Sequence, residues 1–122
     1  MPKILLVEDE GVISEPMEIV LSSHMYDVDI AKNGLEALNL CKDKKYDIIL
    51  LDIMMPVMDG LEFLKKAKLK KTAPKTKVIL LSNLALGVEI QTGMKLGAIK
   101  SLLKASITPG SLLAMINQEL AT

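Results

Sequence analysis

Several short apolar runs in this 122-residue chain stop on residues able to do chemistry. Lys3–Val7 runs into Glu8-Asp9-Glu10, Asp47–Asp52 ends on Asp52, Lys77–Ser82 ends on Ser82 before Asn83, and Ile99–Leu103 is followed by Lys104. Brought to one edge, these ends make a shallow cleft of carboxylates, a hydroxyl and an ammonium. Crowded carboxylates raise one another's pKa, and a hard divalent cation relieves the repulsion. Magnesium suits such a place, because it takes a few oxygen ligands, keeps several waters and accepts a phosphate oxygen. A carboxylate can also attack phosphorus and form an aspartyl phosphate. That transfer needs mainly positioning and charge neutralisation, supplied by a cation on one side and an ammonium such as Lys104 on the other. Ser82 is placed to donate a hydrogen bond to an incoming phosphoryl oxygen.

The elements between these ends decide whether they meet. Lys3–Val7, Asp47–Asp52 and Lys77–Ser82 are near-continuous apolar runs, as a parallel sheet covered on both faces requires. Tyr26–Ala31 alternates and reads as an edge strand, and Ile99–Leu103 is the weakest of the five. Helical patterns separate them. Asn33-Gly34-Leu35-Glu36 has the form of a capping box, with Leu35, Leu38 and Cys41 expected inward. Asp59-Gly60-Leu61-Glu62 repeats it before Phe63, Leu64 and Ala67, and Asp59 and Gly60 read as a helix start, not as chemistry. Thr108-Pro109 fits an N-cap and first helical position ahead of Leu112, Leu113, Ile116 and Leu120. The first helix, near Gly11 to Ser23, contains Pro16 and is expected to start late or bend. The helix from about Leu84 to Leu96 is intrinsically poor, with Gly87 and Gly93 inside it. Five β-α units with right-handed crossovers give an α/β fold: a doubly wound, flavodoxin-like (βα)5 parallel sheet in the order 2-1-3-4-5. Ligands of such folds sit at the carboxyl ends of the strands, at the switch point.

Composition narrows the classes. The length fits one domain over residues 1–122. The net charge is zero and every basic residue is lysine, which argues against direct nucleic-acid binding. No apolar stretch approaches a membrane span of about 20 residues, and the N-terminus does not read as a signal peptide. The single cysteine, Cys41, allows no internal disulfide and fits a reducing, cytoplasmic setting. His24 reads as a surface histidine, and the lysines from Lys65 to Lys77 read as a solvated face.

Val7-Glu8-Asp9, the stretch Asp52-Ile53-Met54-Met55-Pro56-Val57-Met58-Asp59-Gly60, Val78–Ser82, Gly97-Ala98 and Leu103-Lys104 together resemble the receiver domains of two-component response regulators. The resemblance covers essentially the whole chain. It implies that Asp52 is the phosphoacceptor, that Glu8, Asp9, Asp52 and the Met54 backbone carbonyl serve the metal, and that Ser82 and Lys104 contact the phosphoryl group. The implied cofactor is Mg2+, with Mn2+ as the alternative. The implied donor is a sensor histidine kinase or phosphotransfer protein, and the implied output is a partner or self-dimer through the region Leu84–Leu103.

Three positions depart from the family pattern. Ser101 stands where an aromatic is usual, Ala105 where a proline in a cis peptide is usual, and Asn83 where a small residue is usual. Met54 and Leu84, both apolar, would flank the phosphoryl group and position no water, so a long-lived phosphorylated state is expected. The departures favour one alternative, a pseudo-receiver acting as a constitutive protein-interaction module. A phosphohydrolase is ranked last, since Met54 stands where such enzymes carry a second carboxylate.

Overall fold

The computed structural model describes residues 1–83 and 86–122. Leu84, expected at a helix start, beside the phosphoryl group and at one end of the partner region, lies outside the described residues.

Five parallel strands form one sheet: β1 (Lys3–Val7), β2 (Asp27–Ala31), β3 (Ile48–Asp52), β4 (Lys77–Ser82) and β5 (Lys100–Leu103). Their order is β2-β1-β3-β4-β5, as the sequence led us to expect. The apolar run of β3 is buried throughout because it is the middle strand, paired with both β1 and β4. Alternate residues feed two cores. Ile4, Leu6, Ile48, Leu50, Ile79 and Leu81 meet the helices α1 (Gly11–Ser23) and α6 (Pro109–Leu120). Leu5, Val7, Ile49, Leu51, Val78 and Leu80 meet α2 (Gly34–Asp43), α3 (Gly60–Ala67) and, more loosely, α5 (Gly87–Lys95).

Helix starts follow local chemistry. Asn33 accepts from the Glu36 N–H, Asp59 from the Glu62 N–H, and Thr108 from the Ser111 N–H, so α2, α3 and α6 are all side-chain capped. Three expectations need correction. Leu35 points outward and is 43% exposed, because Gly34 and Ala37 are the residues α2 buries. Of the two outcomes expected for α1, the late start is the one overturned: the helix begins at Gly11 with Pro16 inside it. The hydrogen bond Pro16 cannot donate would have gone to Val12, a solvent-exposed residue whose carbonyl water can satisfy. Finally, a short helix α4 (Leu69–Thr72), absent from the expected pattern, follows Lys68.

No helix among the described residues is long and apolar enough to cross a membrane. His24 is exposed beyond the end of α1. Cys41 is half-buried, and burial pushes its thiol up to about 11, which leaves it protonated and unreactive near neutrality.

Candidate functional site

Strand parity gathers the charged groups. Glu8 continues the Ile4–Leu6 side of β1, Asp52 continues the Ile48–Leu50 side of β3, and Lys104 keeps the parity of Leu102 just past β5. All three therefore emerge over the α1–α6 face of the sheet, at its carboxyl edge. Ser82 has the opposite parity, that of Val78 and Leu80, and belongs to the α5 side.

Lys104 Nζ donates to Asp52 Oδ2 at 3.0 Å and lies 2.9 Å from Glu8 Oε1. Beyond that ion pair, no donor among the described residues reaches the buried Glu8 Oε1. The remaining oxygens are held by backbone: Met54 N–H donates to Asp52 Oδ1 at 3.2 Å, and Glu10 N–H to Glu8 Oε2 at 3.1 Å. Glu8 and Asp52 are 1% and 2% exposed, so desolvation dominates their titration. Burial pushes Glu8 up to about 7, with the Lys104 contact opposing and the Asp52 charge adding to the rise. Burial also raises Asp52, against Lys104 and the Met54 N–H, while the Asp9 charge reinforces it. Burial alone would lower Lys104, but its two carboxylates outweigh that and hold the ammonium firmly charged.

The donor set suits a hard cation. Carboxylate oxygens of Glu8, Asp9 and Glu10 lie within 4.8 Å of one another, with Asp9 and Glu10 exposed. Two buried carboxylates facing a single ammonium leave net negative charge, and Glu8 Oε1 has no donor among the described residues beyond its ion pair with Lys104. The Met54 carbonyl accepts no hydrogen bond among the described residues, so it too is available to a metal. These are the oxygen ligands magnesium prefers.

The loop after Asp52 is held tightly. Gly60 N–H donates to the Ile53 carbonyl at 3.0 Å, and Gly34 N–H to the Met58 carbonyl at 2.8 Å. A Cβ on Gly60 would sit 2.3 Å from the Asp52 carbonyl oxygen, so only glycine lets α3 start this close to the end of β3. Met58 N–H donates to the Pro56 carbonyl at 2.7 Å across Val57, whose φ is 69°. That is a γ-turn with positive φ, a strained form made more costly by a β-branched residue. Nothing in the periodicity signals the strain.

The sequence-predicted residues fall in two groups. Glu8, Asp52 and Lys104 touch; Asp9 and the Met54 carbonyl border them. Ser82 is buried at the end of β4, and its hydroxyl donates only a long 3.5 Å bond to the Leu102 carbonyl. Asn83 is exposed, and Ser101 is half-buried in β5. Ala105 lies in a 3-10 turn, Lys104–Ser106, and no described peptide bond is cis.

A family model described as the response regulator receiver domain matches residues 4–117. A probable transcriptional regulator ycf29 of Pyropia yezoensis is 38% identical over 119 residues, covering 98% of this chain and 53% of that protein. The cell cycle response regulator CtrA of Brucella ovis is 38% identical over 97 residues, 79% of this chain and 40% of that protein. The chain thus spans about half the length, or less, of these curated relatives. Among solved structures, a CheY-like receiver domain protein from Methanospirillum hungatei JF-1 superposes with a TM-score of 0.90 at 29% identity, covering 99% of this chain and 94% of that one. The BeF3-activated DrrB receiver domain gives 0.85 at 29% identity, covering 100% and 99%. The matched span, with strand order and the acidic edge in agreement, places the chain in the receiver domain family of response regulators.

Proposed function

We propose that residues 1–122 form a single receiver domain that accepts a phosphoryl group on Asp52 and carries the signal onward through its surface. The donor is a phosphohistidine on a sensor kinase or phosphotransfer protein, or a small phosphodonor. One observation carries the reading. The Asp52 carboxylate is buried, yet Lys104 and the Met54 N–H hold it at fixed positions in an acidic cleft. An Asp52 oxygen attacks phosphorus, and the bond from phosphorus to the donor breaks, with its electron pair leaving on the donor. Lys104 offsets the charge on the transferred group. Ser82, weakly bonded in the resting state, is free to turn its hydroxyl toward a phosphoryl oxygen. Glu8, Asp9, Asp52 and the Met54 carbonyl would hold Mg2+, or Mn2+ in its place. When bound, the metal neutralises phosphoryl oxygens.

The act is a self-modification and not a turnover reaction. Its setting is the cytoplasm. Output runs through the α5–β5 side, where Val88 and Ile99 are 74% and 43% exposed and offer apolar surface to a partner or second copy. Incubation with acetyl phosphate, with and without magnesium, followed by intact mass, tests the proposal. The expected result is one phosphoryl adduct that needs magnesium and is absent from Asp52→Asn. A folded protein that takes no adduct overturns it in favour of a constitutive binding module.

A further inference from the structure

The lysine-rich run has a shape as well as a charge. Helix α3 ends at Lys68, whose φ of 50° turns the chain left-handed and starts α4 at once. Beside that turn lies a groove of about 240 Å³ between α3, α4 and the end of α5. Leu64, Leu69 and Leu96 make its floor. Lys65, Lys68, Lys70, Lys71 and Lys95 make its rim, and all five are exposed. No carboxylate lines the groove, and none of these lysines forms an ion pair among the described residues. A second hollow adjoins it over the start of β4 and shares Leu64, Leu69, Lys70 and Leu96. This is the sheet edge opposite Asp52.

The chain is neutral overall, so five ammonium groups on one groove with no carboxylate partner among the described residues, one of them (Lys70) donating to the Lys95 carbonyl at 3.3 Å, are a local field, not a general surplus. Their mutual repulsion falls when an anion enters. The floor adds a second requirement. Leu64 is buried and Leu69 and Leu96 are half-buried, a recessed apolar surface that a purely electrostatic partner would not need.

We infer that this groove docks an acidic amphipathic segment of a partner protein, with an apolar side chain on the leucine floor and carboxylates along the lysine rim. Nucleic acid fits less well, because the groove offers no aromatic for base stacking and the chain has no arginine. A membrane surface fits less well because Leu64 is buried and Leu69 and Leu96 are half-buried, which leaves little apolar surface to insert. The inference does not rest on phosphoryl acceptance at Asp52.

Fluorescence anisotropy tests it on the full chain, with a labelled peptide alternating glutamate and leucine. Parallel arms use the same peptide with serine for leucine, a thymidine oligonucleotide, and phosphatidylglycerol vesicles. Sedimentation of the protein alone reports self-association. The glutamate–leucine peptide is expected to bind, more weakly as salt rises, and equally well to Asp52→Asn. Lys65→Glu with Lys71→Glu, and separately the serine peptide, each weaken binding by at least about tenfold. The pair Lys65→Gln and Lys71→Gln gives a smaller loss, and circular dichroism checks that each variant is folded. The inference fails if the peptide does not bind or if the serine peptide binds as well. It fails equally if oligonucleotide or vesicles bind more tightly, or if the lysines instead drive a salt-sensitive self-association.

Discussion

Helices α3 and α5 pack on the same side of the sheet but are held very differently. Helix α3 is capped by Asp59 at 2.9 Å, closes a Glu62–Lys66 ion pair, and buries Gly60, Phe63, Leu64 and Ala67 out of eight residues. Helix α5 has no side-chain cap, carries Gly87 and Gly93, and buries only Gly93. The difference follows the site. Helix α3 starts against the Asp52 backbone through Gly60, so it fixes the proposed acceptor. Helix α5 follows the strand that ends in Ser82, the hydroxyl proposed above to meet the phosphoryl group. A signalling domain needs a rigid acceptor and a neighbouring element whose position is cheap to change.

Core truncation should break or confirm the contrast most strongly. Phe63→Ala is expected to cost about 3–5 kcal/mol in urea unfolding, because Phe63 is fully buried. Ile90→Ala in α5 should cost only about 1–2 kcal/mol, since that side chain is half-buried. Equal losses would remove the distinction. Cap removal is next: Asp59→Ala should cost about 1 kcal/mol. By contrast Gly87→Ala, where a Cβ meets nothing within 4 Å among the described residues, should gain about 0.5 kcal/mol by stiffening α5. The strained turn is tested by Val57→Asn, which should gain up to about 1 kcal/mol, because asparagine tolerates positive φ far better than valine.

The smallest effect concerns pH and the other edge of the sheet. The Tyr46 hydroxyl donates to Asp29 at 2.7 Å and Lys44 pairs with it at 2.9 Å, which together lower the Asp29 pKa. A carboxylate whose folded pKa is depressed adds stability above its unfolded pKa of about 3.9 and loses it as pH falls through the folded value. Asp29→Asn should therefore cost less than about 1 kcal/mol at neutral pH and nothing measurable at the acid end. A constant difference across the range would assign the effect to packing instead.

How much of this could be read from the residues depends on whether the cause is local. Caps at Asn33, Asp59 and Thr108, the buried β3 run and the strand order all follow from short-range chemistry and periodicity, and the carboxyl-edge residues follow from the order. What escaped depends on neighbours far along the chain. Leu35 was expected inward from spacing alone, but Gly34 packs on Met58, where a Cβ would stand 2.7 Å from a carbonyl oxygen, and this turns the other side of α2 to the core. The positive φ of Val57 and Lys68 has no sequence cue, and α4 is too short to show a period. The split between Glu8, Asp52 and Lys104 on one face and Ser82 on the other was available from strand parity, a signal that the strand ends taken as a group conceal.

The most direct test is to locate the phosphoryl group. After acetyl phosphate treatment with magnesium, borohydride reduction converts an aspartyl phosphate to homoserine, which tandem mass spectrometry assigns to a residue. The account predicts conversion at Asp52 alone, reduced to background in Lys104→Ala. Conversion at Glu8 or Asp9, or an unmodified Asp52 in a chain that carries phosphate, would contradict it.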